Sequence, residues 1–241
     1  MPTPKSKPVA QQAYDILAEA YAERIYTKPH NAYYERPATL SLLPDVRGKR
    51  VFDAGCGPGV YAEWLVQHGA QVTACDANGK MVRITRQRLG NKAKVVQADL
   101  ELPLDFASDS TFDIIIAPLV MDYIKDWMAA FKEFHRVLVP GGVLLFSMEH
   151  PFPKYLDHQQ TSNYFDIDLV EYTWRGFGMQ VNVPSYRRPL STVINTLIQA
   201  DFAIDYLLEP RPTEEFKAAD PEEYESLMHS PGFMCIRAKR I

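Results

Sequence analysis

The stretch Val51-Phe52-Asp53-Ala54-Gly55-Cys56-Gly57-Pro58-Gly59 constrains this chain more than any other. An apolar run carrying one acid ends in three glycines at alternate positions, and a helical pattern follows. Glycine permits a tight turn and lets another group approach the backbone closely. A helix that opens directly after the turn leaves its first N–H groups free. In an open α/β sheet, ligands gather at such junctions, at the carboxyl ends of strands near the switch in strand order. The spacing is not the dinucleotide fingerprint GxGxxG, because the third glycine comes one residue early. Asp53 would also repel a pyrophosphate, whereas it suits a cation or an amino group. A merely structural turn is the competing reading.

The flanking segments alternate between strand and helix. Residues 50–54, 70–76, 94–99, 112–118 and 143–149 read as strands. Residues 59–68 and 80–89 read as helices, stopped by Gly69 and Gly90. Trp127, Phe131, Phe134 and Leu138 share one face of a helix that ends before Pro140-Gly141-Gly142. Residues 112–118 are a continuous apolar run, as expected of a strand covered on both faces. Strand and helix joined by short turns imply a parallel sheet with right-handed crossovers and helices on both faces.

On the amino-terminal side, Tyr14, Leu17, Tyr21 and Ile25 form the apolar stripe of a helix over residues 9–26, with a short helix over 37–43. Pro2, Pro4 and Pro8 mark residues 1–8 as a mobile tail. After His150 the alternation breaks. Residues 150–187 are rich in aromatics, proline and glycine, and residues 170–174 and 179–183 predict a hairpin laid over the sheet. A helix over 191–200 and strands over 202–210 and 232–241 resume the pattern, around an acidic, helix-prone insert. At 241 residues the chain is read as a single domain, 1–241, with a full core.

Charge and composition narrow the partners. Lysine and arginine number 26 against 30 acids, a net charge of -4, so an electrostatically driven nucleic-acid binder is not expected. Three scattered cysteines, Cys56, Cys75 and Cys235, form no CxxC pair, so neither a disulfide scaffold nor a structural zinc site is expected, and no other metal cluster is predicted. No apolar run reaches the roughly 18 residues of a membrane span, and no secretory signal is visible, so a soluble cytoplasmic protein with no membrane partner is the expectation. The oligomeric state is open.

Two further acids sit at strand ends. Asp76 ends the second strand and can accept two hydrogen bonds from ribose hydroxyls. Asp99-Leu100 ends the third, where an acid beside an apolar residue suits an adenine amino group; a turn cap is the alternative. With these three strand ends, the chain resembles the class I S-adenosylmethionine-dependent methyltransferases, over residues 48–149 and more loosely 188–241. DAGCGPG is similar to that family's glycine-rich first motif, TACDAN to its ribose-binding acid and QADLELPL to its adenine segment. Phe112-Asp113-Ile114-Ile115-Ile116 is similar to its fourth strand, and Arg136-Val137-Leu138-Val139-Pro140-Gly141-Gly142 to the turn before its fifth.

The resemblance implies an α/β three-layer sandwich, doubly wound around seven strands in the order 3-2-1-4-5-7-6, with the last strand antiparallel. It implies S-adenosyl-L-methionine as cofactor, S-adenosyl-L-homocysteine as product and a small-molecule acceptor. By the same resemblance Asp53, Gly55, Gly57 and Gly59 frame the methionine part and Asp76 holds the ribose. Ala77, Met81, Asp99 and Leu100 surround the adenine, and Ala117 and Pro118 border the sulfonium. Residues 1–47 and 150–187 then flank the site as a substrate cover.

For proton removal from an acceptor, His150 is a candidate because an ordinary histidine titrates near neutrality; a structural histidine ahead of Pro151 is the alternative. Asp122 and Tyr123 follow the fourth strand and are also near the expected site. Tyr14, Tyr26, Trp174 and Tyr186 either line an acceptor pocket or simply pack. Arg187, with Arg188, either holds an anionic group or is a solvated surface pair. A nicotinamide-dependent oxidoreductase and a non-catalytic cofactor-binding module are the competing functions.

Overall fold

The computed structural model describes residues 7–158 and 163–241; the first six positions of the expected tail lie outside the described residues. The chain opens with α1 (Gln11–Arg24), and a π-helical turn (Asn31–Glu35) feeds directly into α2 (Arg36–Ser41). β1 (Arg50–Ala54), α3 (Val60–Gln67), β2 (Gln71–Asp76), α4 (Gly79–Leu89) and β3 (Ala93–Gln97) follow. β4 (Phe112–Pro118) leads through a 3-10 turn (Met121–Tyr123) to α5 (Trp127–Val137) and β5 (Leu138–Glu149). Next come α6 (Pro151–Leu156), β6 (Asp168–Trp174), β7 (Val181–Arg187) and α7 (Leu190–Gln199). β8 (Phe202–Leu208), α8 (Glu214–Ala219), α9 (Pro221–His229) and β9 (Phe233–Arg240) complete the chain.

Seven strands form one sheet in the order β3-β2-β1-β4-β5-β9-β8, with β9 antiparallel to both neighbours. This is the order and the direction that the family resemblance implies. Alternation along the strands builds two cores. Phe52, Ala54, Ile115 and Ala117 face one side, and Val51, Ile114 and Ile116 the other. α5 covers the first side with Trp127, Ala130, Phe131 and Phe134, spaced three and four apart, and α7 adds Val193 and Leu197. Each buried Phe, Leu or Val side chain among these contributes about 1.5–3 kcal/mol. Ala38 of α2 and Ala62 and Leu65 of α3 cover the second side.

Two boundaries differ from the sequence pattern. α2 starts before Pro37 because it continues the π-helical turn, and the Tyr33 carbonyl, four residues before the proline, accepts from Thr213 N at 2.9 Å. β5 starts at Leu138 rather than 143. Its pairing with β4 jumps from Phe112–Leu138 to Ile114–Val143, so residues 139–142 bulge out of the ladder with Gly141 at φ 74°. The expected hairpin is present as β6 and β7, paired from Asp168–Arg187 to Trp174–Val181. It forms its own two-stranded sheet. Phe177, Val181 and Val183 pack against Ala13 and Leu17 of α1, which sets hairpin and helix together above the main sheet. Among the described residues no helix is long and apolar enough to cross a membrane.

Candidate active site

The glycine-rich turn is shaped by contacts inside the protein. Gly55 has φ 73°, and a Cβ there would lie 2.3 Å from Val120 Cγ2. Gly59 has φ 84°, and its Cβ would lie 2.7 Å from Thr85 Cγ2. Any other residue at either position would be strained and would displace its neighbour. Gly57 is the glycine with open space where a Cβ would be, and its N–H donates to Asp76 Oδ2 at 2.8 Å.

β1 carries Asp53 and β2 carries Asp76 into one cavity of about 410 Å³ above the strand ends. Asp53 is 1% exposed, and among the described residues no hydrogen bond of normal geometry reaches either carboxylate oxygen. Burial, with Asp76 nearby, pushes its carboxyl up to about 7, eased by the Ala62 backbone N–H. Asp76 accepts from Gly57 N and from Asn78 N, both at 2.8 Å, and burial still pushes it up to about 6. A buried carboxylate with no partner is costly unless a cation or donor joins it. This pair therefore favours a ligand that brings a positive group to Asp53. Ala77, Met81, Asp99 and Leu100 line the same end, and Asp99 Oδ1 also accepts from Glu101 N at 3.0 Å.

The other end of the cavity is aromatic and charged. Tyr14 of α1 hydrogen-bonds Tyr123 through the two hydroxyls at 3.0 Å, and its ring meets Trp174 of β6 edge-on. Burial holds both tyrosine hydroxyls well above their ordinary range, so they stay protonated. Asp122 is committed elsewhere: Oδ1 lies 3.1 Å from Lys154 Nζ, and Oδ2 accepts from Glu149 N at 3.1 Å. Lys154, 2% exposed, also reaches Glu149 Oε2 at 2.6 Å. Glu149 lines the cavity together with Asp122 and Tyr123. Burial raises the Glu149 carboxyl, and Lys154 opposes that shift.

Sequence reasoning missed Glu149, Glu35 and Lys28. Glu35 is buried at the end of the π-helical turn and accepts from Thr39, Tyr61 and Ser147 hydroxyls at 2.6–2.9 Å. Only its place inside the tyrosine-rich NAYYER segment could have drawn attention to it.

Several expected site residues lie elsewhere. His150 is a correction: it does not line the cavity, and both ring nitrogens are occupied. Nδ1 accepts from Phe152 N at 3.3 Å, capping α6, and Nε2 meets Glu209 Oε1 at 2.8 Å. Tyr26 is 41% exposed and donates to Glu63 on the outer surface. Tyr186 does not line the cavity, because alternation along β7 turns Val183 and Ser185 towards it instead. Arg187 neither holds a ligand nor faces solvent. It is fully buried, donating to the carbonyls of Asn163, Tyr164 and Asp166 and pairing with Asp168 at 2.8 Å. Arg188 is buried as well, over the Trp127 ring and donating to the Ile124 carbonyl. Ala117 is sealed within β4, so Pro118, Leu119 and Val120 form the wall there, and Gly59 lies behind the cavity lining at the start of α3.

Comparison with known proteins gives this cavity a context. A family model described as "Methyltransferase domain" matches residues 52–146. An "Uncharacterized protein" of Haemophilus influenzae is 27% identical over 88% of this chain and 89% of its own length. Malonyl-[acyl-carrier protein] O-methyltransferase of Enterobacter lignolyticus is 34% identical, over 58% of this chain and 55% of that enzyme, so the match spans about half its length. The solved S-adenosylmethionine dependent methyltransferase of Mesorhizobium loti aligns with a TM-score of 0.68 at 29% identity, covering 86% of this chain and 97% of that one. The domain match falls on the strands that carry Asp53 and Asp76, and the structural match extends over most of the chain. Residues 52–146 thus match a methyltransferase domain, and the fold over most of the chain is similar to that of solved S-adenosylmethionine-dependent methyltransferases.

Proposed function

We propose that the protein methylates a small-molecule acceptor, with the cofactor spanning the carboxylate end of the cavity and the acceptor at the aromatic end. The observation that carries this reading is the unpartnered, buried Asp53 beside Asp76. The residues present fit the cofactor: Asp53 takes the ammonium of its methionine part, against the backbone of Gly55 and Gly57. Asp76 keeps a lone pair on each oxygen for the ribose hydroxyls. Ala77, Met81, Asp99 and Leu100 enclose the adenine, and Pro118 to Val120 border the sulfur. When bound, the cofactor supplies an electrophilic methyl on a positive sulfur. The protein's own task is then mainly alignment, which reduces the entropic part of the barrier.

Tyr14, Tyr123 and Trp174 present ring surfaces and hydroxyls to an acceptor. For an acceptor bearing O–H or N–H, the cavity-lining carboxylate of Glu149 is the candidate to take the proton, since both Asp122 oxygens are engaged. Residues 1–47 and 150–187 act as the cover over a single methyltransferase domain. Calorimetric titration with S-adenosylhomocysteine, and separately with NAD, tests the proposal. Micromolar binding of the former and none of the latter is expected; the opposite pattern would overturn the reading. His150→Ala is expected to lower stability by about 1 kcal/mol through the lost helix cap. Its affinity for S-adenosylhomocysteine should stay within error of the parent, as checked by thermal melts and the same titration.

A further inference from the structure

The buried cations among the described residues are matched. Lys154 has Asp122 and Glu149, Arg187 has Asp168, and Arg188 donates to a carbonyl. Half-buried Lys28 is different. It lies between α1 and the π-helical turn, lines the acceptor end of the cavity, and has neither ion-pair partner nor side-chain hydrogen bond among the described residues. Its ammonium sits 4.9 Å from the Trp174 ring centroid and 4.3 Å from that of Phe177. Ring faces attract a cation but do not neutralise it. Burial lowers the Lys28 ammonium to about 8, which leaves it charged at neutral pH.

Three residues on, Asn31 also lines this end of the cavity. It is 8% exposed, and its side-chain amide has no hydrogen bond among the described residues. An ammonium and a side-chain amide, neither with a side-chain hydrogen bond among the described residues, thus line one cavity, and both can donate to an anion. Glu149 is close enough to favour the charged form of Lys28, but its own charge is already held by Lys154. A negative group that pairs with Lys28 directly would therefore come from the ligand.

We propose that the acceptor is a small organic acid whose carboxylate docks on Lys28, with Asn31 as second donor, while its reacting group points towards Glu149 and the cofactor. This rests on the methyltransferase reading above and narrows its substrate class. The alternative role for Lys28 is a clamp on the hairpin, which would demand no anion.

The test uses the full chain saturated with S-adenosylhomocysteine, so that failure of that first binding step would be a failure of the methyltransferase reading itself. Benzoate, 3-phenylpropanoate and hexanoate are then titrated beside the matched amides and benzylamine. At least one acid is expected to bind about tenfold or more tighter than its amide, with Lys28→Met removing that preference and Lys28→Arg keeping most of it. S-adenosylhomocysteine affinity should be the same in all three proteins. Acids binding no better than amides, no acid binding at all, preferential binding of the amine, or a Lys28→Met protein that keeps the acid preference would each overturn the proposal. Should Lys28→Met fold poorly, the acid-to-amide ratio on the parent and on Lys28→Arg still decides.

Discussion

Replacing Asp53 by asparagine is expected to weaken S-adenosylhomocysteine binding about 100-fold, or roughly 2.7 kcal/mol, because a charged hydrogen-bonded contact in a buried site is lost. The free protein should be as stable as the parent or more so, since the change removes a buried carboxylate that has no partner there. Binding should also depend on pH. The ionised form of Asp53 is the one that attracts an ammonium, and its carboxyl titrates at about 7. Affinity should therefore fall as pH drops from 8 to 6, with Asp76, at about 6, adding to the loss lower down. Stability of the free protein runs the other way. A carboxyl raised above its unfolded value of 3.8 contributes stability that is complete below that pH and is lost as pH rises through about 7. Calorimetry at pH 6 and pH 8, with melts of the free protein, checks both signs. An Asp53→Asn protein that binds as the parent does, or a parent whose affinity rises on acidification, would count against the assignment.

The second large effect concerns the ion cluster at the aromatic end of the cavity. Lys154→Met leaves Asp122, with a side chain 5% exposed, and the partly buried Glu149 without their shared cation. Removing one partner of a buried pair costs about 3 kcal/mol or more. For a chain of this size that lowers the melting temperature by about 6–12 °C. The double variant Lys154→Met with Asp122→Asn should recover part of the loss, because one of the stranded charges is gone. Melting curves of parent, single and double variants measure this. A single variant as stable as the parent would show that the cluster remains hydrated and contributes little.

The layout of the main sheet was legible because each β–α unit obeys local rules. Apolar runs at β1 and β4, a glycine turn between strand and helix and the spaced aromatics of α5 all declare themselves within a few residues. The acids at the ends of β1 and β2 were legible for the same reason. What could not be read depends on contacts between distant segments. His150 has the chemistry of a base, but Glu209 and Phe152 occupy its two nitrogens. Arg187 and Arg188 resemble a surface pair until carbonyls of residues 163–166 and the ring of Trp127 close around them. Lys28 and Asn31 carry no motif at all. They stand out only in the folded chain, where both line the cavity and the Trp174 and Phe177 rings lie against the Lys28 ammonium.

Asn78 caps α4 by accepting from Lys80 N and Met81 N, beside the acid that ends β2, and its Nδ2 also donates to Asp15 of α1 at 2.8 Å. One amide thus joins the Asp76 end of the cavity to α1. The consequence is for engineering: this protein is not modular in the way its sequence layout suggests. A chimera that replaces residues 1–47 would also remove the anchor of the α4 cap. Transplanted covers should therefore be built with an acceptor at position 15 retained, and their cofactor affinity measured before any change in selectivity is credited to the new pocket.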